Sequence, residues 1–93
     1  MSETIQIQPL ADHEYAVDVT EGTTQTRHRV LVSPDLLDDL GLVDVDEQRV
    51  VRESIQFLLE REPATSIYEE FPLDTVASRF PDFADELRAR LAG

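Results

Sequence analysis

Two stretches of alternating apolar and polar residues, separated by a glycine turn, constrain this chain most. Over His13–Thr20, Tyr15, Val17 and Val19 share one face while Glu14, Ala16 and Asp18 take the other. Over Gln25–Val32 the same alternation places His28, Val30 and Val32 on one face and Arg27, Arg29 and Leu31 on the other. Glu21-Gly22-Thr23-Thr24 lies between them, and Gly22 can take positive φ without steric cost. A period of two predicts strands, and two such runs joined by a short turn predict an antiparallel hairpin with one apolar face. Turn length, and with it register, stays open. Upstream, Thr4-Ile5-Gln6-Ile7-Gln8 also alternates and ends at Pro9, which predicts an edge strand, because proline cannot donate to a ladder.

An apolar sheet face has to be covered, and the next segments are helical. Ser33-Pro34-Asp35 is a helix start, with Ser33 able to cap and Pro34 in the first turn. Leu36, Leu37 and Leu40 line one side, and Gly41 suits the left-handed position after the helix. The main helix is expected from about Asp46 to Glu62. Its N-terminus reads as a capping box of Asp44 with Glu47, with Asp46 as the alternative cap. Val51, Ile55, Leu58 and Leu59 fall at helical spacing, broadened by Val50 and Phe57, and Pro63 ends the run. Thereafter Thr65–Glu70 suggests a helical turn. Asp74 is expected to cap a short helix after Phe71-Pro72, and Phe80-Pro81-Asp82 to open the last one. In each Phe-Pro pair the phenylalanine anchors the chain and the proline forces the break. The expected fold class is therefore α+β: an antiparallel three-stranded sheet, a short helix, one long packing helix and short C-terminal helices. It forms a single domain over 1–93, a β-meander over 1–33 and a helical part over 34–93.

Composition narrows the chemistry. The chain has 93 residues, enough for one modest core. There is no cysteine, which removes disulfides, thiolate metal sites and a cysteine nucleophile. Formal net charge is −12, and all eight basic residues are arginine. The acids run from Glu3 to Glu86 without a block or tail, a distribution that fits a surface adapted to molar salt, where the Debye length falls to about 3 Å. Mimicry of nucleic acid, or one concentrated basic-partner surface, would gather them. Met1-Ser2-Glu3-Thr4 carries no basic or apolar leader, and no apolar run nears the roughly 18 residues that span a bilayer. The expectation is a cytoplasmic protein without membrane association.

No motif commits the chain to a reaction. His13 and His28 fall on neighbouring predicted strands, but a metal site needs three or four ligands and no third has telling spacing; half-exposed strand histidines are the expectation. Asp38-Asp39, Asp44 with Asp46, and Glu69-Glu70 are pairs that an acid-rich composition produces unaided. Asp44-Val45-Asp46-Glu47 lacks the glycine and the terminal bidentate glutamate of a calcium loop. No cofactor and no metal are expected. Arg27 and Arg29 share a strand face and either meet acids across the hairpin or read a partner's carboxylates or phosphates.

The order of a charged hairpin, Val30-Leu31-Val32-Ser33-Pro34 with Leu36-Leu37, the helix Val51-Arg52-Glu53-Ser54-Ile55-Gln56-Phe57-Leu58-Leu59-Glu60-Arg61-Glu62-Pro63, then Ser66-Ile67, Phe71, Leu73 and Phe80-Pro81, resembles a family of small uncharacterised prokaryotic proteins, here in an acidic, halophile-like version. The resemblance covers nearly the whole chain and is most specific from Arg52 to Ile67. It implies these fold boundaries and a free-standing protein, and it carries no activity or site.

These readings lead to a non-enzymatic protein-interaction module. The expected contact surface is Tyr68, Phe71, Phe80 and Phe83, four aromatics set amid prolines that could equally close the core, together with Arg27 and Arg29. The partner is expected to be a protein, with a homodimer through the uncovered sheet face as an alternative to a wet face. The second reading is a ribbon-helix-helix-like or antitoxin-like regulator. His28–Glu62 resembles that strand-helix-helix order, with Arg27 and Arg29 as base readers. The net charge opposes phosphate binding, so nucleic acid is not the expected partner. A small enzyme ranks third.

Overall fold

The computed structural model describes residues 3–42 and 45–92. Its element order is β1 (Glu3–Ala11), β2 (Glu14–Glu21), β3 (Thr24–Leu31), α1 (Pro34–Asp39), α2 (Glu47–Leu59), a 3-10 turn (Ala64–Ser66), β4 (Glu70–Pro72), α3 (Leu73–Arg79) and α4 (Phe83–Ala92).

The hairpin turns through Gly22-Thr23, with Glu21 opposite Thr24, and Gly22 takes φ +60°. Positive φ at the first central residue matches the twist that a two-residue hairpin needs. Register then follows from the core: Val17, Val19 and Val30 are fully buried, and Val32 continues the buried face just past β3. β1 pairs antiparallel with β2 from Glu3↔Glu21 to Pro9↔Tyr15, and a bulge places one extra residue, Leu10, before Ala11↔Glu14. Pro9 belongs to β1, one residue beyond the stretch the alternation marks. It is tolerated because β1 is an edge strand.

The sheet differs from the expected three antiparallel strands. It has four strands in the order β1-β2-β3-β4, and β4 runs parallel to β3 with Arg29↔Glu70, Val30↔Phe71 and Leu31↔Pro72 in register. Only Ala64–Ser66 makes a helical turn, and the chain is extended from there into β4. The cause is local. Phe71 is buried beside Val30, and the residue before a proline is steered to extended backbone. The segment 34–93 is thus not wholly helical.

α1 has Ser33 at its N-cap position, but the hydroxyl makes no capping bond; Gly41 takes φ +71° after the helix, as its position suggests. At α2 the cap is Asp46, whose carboxylate accepts from Gln48 N–H at 3.0 Å; Asp44 lies outside the described residues. The helix buries Val50, Val51, Ile55, Phe57 and Leu58 against the sheet and α4. Ser54 is buried with them, and its hydroxyl donates to the Val50 carbonyl at 2.7 Å. α3 starts directly after Pro72, so Asp74 sits in its first turn and does not cap. In α4, Phe83 and Leu87 complete the core. No described helix is long and apolar enough to cross a membrane.

Candidate interaction face

The expected contact residues separate by burial. Phe71 and Phe83 are core residues, each almost wholly excluded from solvent, because the strand and helix that carry them pack on α2 and β3. Phe83 meets Phe57 edge-on, with ring centroids 5.2 Å apart. Phe80 is half-buried and meets the same Phe57 ring at 5.6 Å, at 83°. Tyr68 is 53% exposed, one of the two large apolar side chains that stand out from the described surface.

Two arginines organise the exposed part of this face. The Arg79 guanidinium lies 5.4 Å from the Tyr68 ring centre and 5.1 Å from that of Phe80. Arg61 lies 3.7 Å over Phe57. Each is also ion-paired, Arg79 with Glu62 Oε2 at 3.0 Å and Arg61 with Asp82 Oδ2 at 2.6 Å. The result is an aromatic ladder, Tyr68–Arg79–Phe80, continuing through Phe57 to Arg61, in which the positive charges are locally balanced. Glu60, Glu69, Glu70 and Asp74 are exposed on the neighbouring segments. Glu62 Oε1 is buried without a protein donor. Arg61, Arg79 and Glu62 escaped the sequence reading. The clue was Arg79 adjoining Phe80, and charged residues packed tightly before Pro63.

Arg27 and Arg29 do not join this face. Arg27 donates to both oxygens of Asp18, its direct cross-strand neighbour, at 2.7 and 3.3 Å. Arg29 is bonded to Glu14 and lies 3.7 Å from Glu70. Hydrogen bonding to Arg27 pulls the Asp18 carboxyl below its usual range. Both arginines thus meet acids across the hairpin. They border a shallow depression of about 590 Å³ floored by Ala16 and flanked by Leu10 and Glu69. β3 has β2 on one side along its length and β4 on the other over Arg29–Leu31, so it does not offer the whole free strand that a ribbon dimer pairs through.

The histidines part company too. His28 is buried, where a half-exposed ring was expected: Nδ1 donates to the Tyr68 carbonyl at 2.7 Å, and Nε2 lies 2.9 Å from the Thr26 hydroxyl. A carbonyl only accepts, so Nδ1 carries a proton. The ring ties β3 to the segment that presents Tyr68. His13 sits in the β1–β2 turn with φ +62°, a conformation uncommon outside glycine, and its Nδ1 donates to Glu47 Oε2 at 2.7 Å. The Tyr15 hydroxyl donates to Glu47 Oε1 at 2.9 Å. Burial, then the hydrogen bond and charge of Glu47, push Tyr15 up to about 12. This cluster fastens the start of α2 to the β1–β2 turn and stands apart from the depression beside Arg27 and Arg29. Among the described residues, no three His, Asp or Glu side chains are grouped to hold a metal ion.

A comparison with protein-family models, curated proteins and solved structures finds no match for this chain.

Proposed function

We infer that this is a non-enzymatic protein-interaction module whose contact surface is the ladder of Tyr68, Arg79, Phe80 and Arg61. The observation that carries the reading is Tyr68, held half out of the surface with a guanidinium placed between it and Phe80. Tyrosine and arginine dominate binding energy at protein interfaces when they sit on a rigid, well-packed base. Here the base is Phe57 in the core, and His28 anchors the Tyr68 backbone. The surrounding charge decides the partner's character. The island is neutralised by Glu62 and Asp82, while the rest of the molecule is acidic. The surface therefore fits an apolar anchor ringed by basic side chains. Acidic steering speeds such an encounter at low ionic strength; in molar salt it is screened, and the aromatic contacts must hold the complex.

Affinity capture from nuclease-treated lysate of the source cells, at high salt, tests this with two baits. The intact chain should retain one stoichiometric basic protein, and a Tyr68→Ala chain of unchanged stability should lose it. Equal capture by both baits would remove the reading.

A further inference from the structure

β1 lies at one edge of the sheet. Thr4–Ala11 is uncharged over eight consecutive residues, the longest such run in a chain with 28 charged residues among 93. Edge strands are usually blunted by charge, because their unpaired backbone groups invite another strand. β1 has the edge position and lacks those charges over Thr4–Ala11, and the other two blunting devices, a proline and a bulge, occur only at its C-terminal end, at Pro9 and Leu10.

Backbone directions follow from alternation. Arg29 N–H bonds to the Glu69 carbonyl, so Arg29 faces β4 and its opposite number Ala16 faces β1. Gln8, paired with Ala16, therefore bonds inward, as do Gln6 and Thr4, whereas Ile5, Ile7 and Pro9 point their backbone groups away from β2. The Ile5 carbonyl confirms the direction, since it accepts from Arg52 of α2 at 2.9 Å. Between Ile5 and Pro9, what remains unpaired on the edge among the described residues is Ile5 N–H, Ile7 N–H, Ile7 C=O and Pro9 C=O.

We propose that β1 pairs antiparallel with β1 of a second copy of this chain, about a two-fold axis at Ile7. That register leaves no member of the set unmatched. Ile7 exchanges both bonds with Ile7 of the second copy, and each Ile5 N–H meets a Pro9 carbonyl. Proline has no N–H to return, and the Ile5 carbonyl that would have received it is the one Arg52 already fills. Ile7 is only partly buried against the core, and its contact with its twin covers the exposed part. Gln6 comes opposite Gln8, so no like charges meet although each copy carries −12. The contact is isologous and closes at two copies. The opposite edge, formed by β4 (Glu70–Pro72) and by Gln25 and Arg27 of β3 beyond it, is shorter and charged among the described residues.

The test has two arms. Light scattering of the intact chain, in dilute buffer and in molar KCl, should give twice the 10.6 kDa of one chain. A single-chain mass at all concentrations would overturn the proposal and leave the edge to a strand of another protein. The second arm reads the register in a chain that has no native cysteine. Positions 6 and 8 of opposite copies form a non-hydrogen-bonded pair with Cα atoms about 4.5 Å apart, within disulfide reach. An oxidised mixture of Gln6→Cys and Gln8→Cys chains should cross-link far more than either chain alone. Both substitutions are on the exposed sheet face, so folding is not at issue. Equal cross-linking in all three samples, or none, would overturn the register. A dimer that keeps its mass in an Ile7→Pro chain still folded by circular dichroism would place the interface elsewhere.

Discussion

Tyr15 shows how one side chain acquires its properties from two elements. Its ring is buried with Val17 and Val19, and its hydroxyl donates to Glu47 at the start of α2. Because its ionisation is pushed from 10.0 to about 12, the folded state holds that proton more tightly than the unfolded chain does. Stability is therefore full below about pH 10 and declines between about 10 and 12, by an amount on the order of 2 kcal/mol. The chain has no lysine or cysteine to add to that limb. Urea unfolding across pH should show this limb, and a Tyr15→Phe chain should flatten it; an unchanged decline would contradict the assignment. The aromatics of the C-terminal third give a sharper contrast. Phe83→Ala should cost about 3–5 kcal/mol, as for any buried phenylalanine. Tyr68→Ala should stay within about 0.5 kcal/mol, as at an exposed surface position. Period-two reading placed Tyr15 with Val17 and Val19, and Val30 with Val32, on the buried face, since alternation encodes the face directly; it put His28 on the face of Val30 and Val32 but expected a half-exposed ring there. It could not find Glu47, which lies far along the chain from both groups that it binds.

At the scale of elements, the hairpin, α2 and α4 were legible because each carries its own periodicity and boundary residues. β4 was not. At three residues it is too short for any period to register, and its extended backbone comes from Phe71 seating beside Val30. The α2 cap was legible only as a choice between two aspartates. The structure selects Asp46, and replacing it by alanine should cost about 1 kcal/mol, measurable as a lowered unfolding midpoint. The candidate face lies across three elements. Tyr68 comes from the segment before β4, Arg79 from the end of α3, and Arg61 from the turn after α2. Local sequence marked the aromatics as a group, and only packing divided them into core and surface.

Across the whole molecule, the arginines are fully committed. Six pair with carboxylates, while Arg49 and Arg52 donate to the carbonyls of Arg90 and Ile5. Among the described residues, most of the remaining acids, Asp35, Asp38, Asp39 and Asp74 included, face solvent without a cation. Their mutual repulsion should weaken the fold in dilute buffer and fade as the Debye length contracts from about 10 Å to about 3 Å. The thermal midpoint should therefore rise between 0.1 and 1 M KCl (roughly the range over which that contraction occurs), and a flat response would count against salt adaptation. Charge also sets the terms on which the molecule meets others. The neutral aromatic island and the uncharged β1 edge are where the acidity gives way. The claim about the island is tested most directly by amide chemical-shift mapping with the captured partner. The account predicts perturbations at Tyr68, Arg79, Phe80 and Arg61, with the outer sheet face unchanged. Shifts confined to Arg27, Arg29 and their neighbours on the sheet would contradict it.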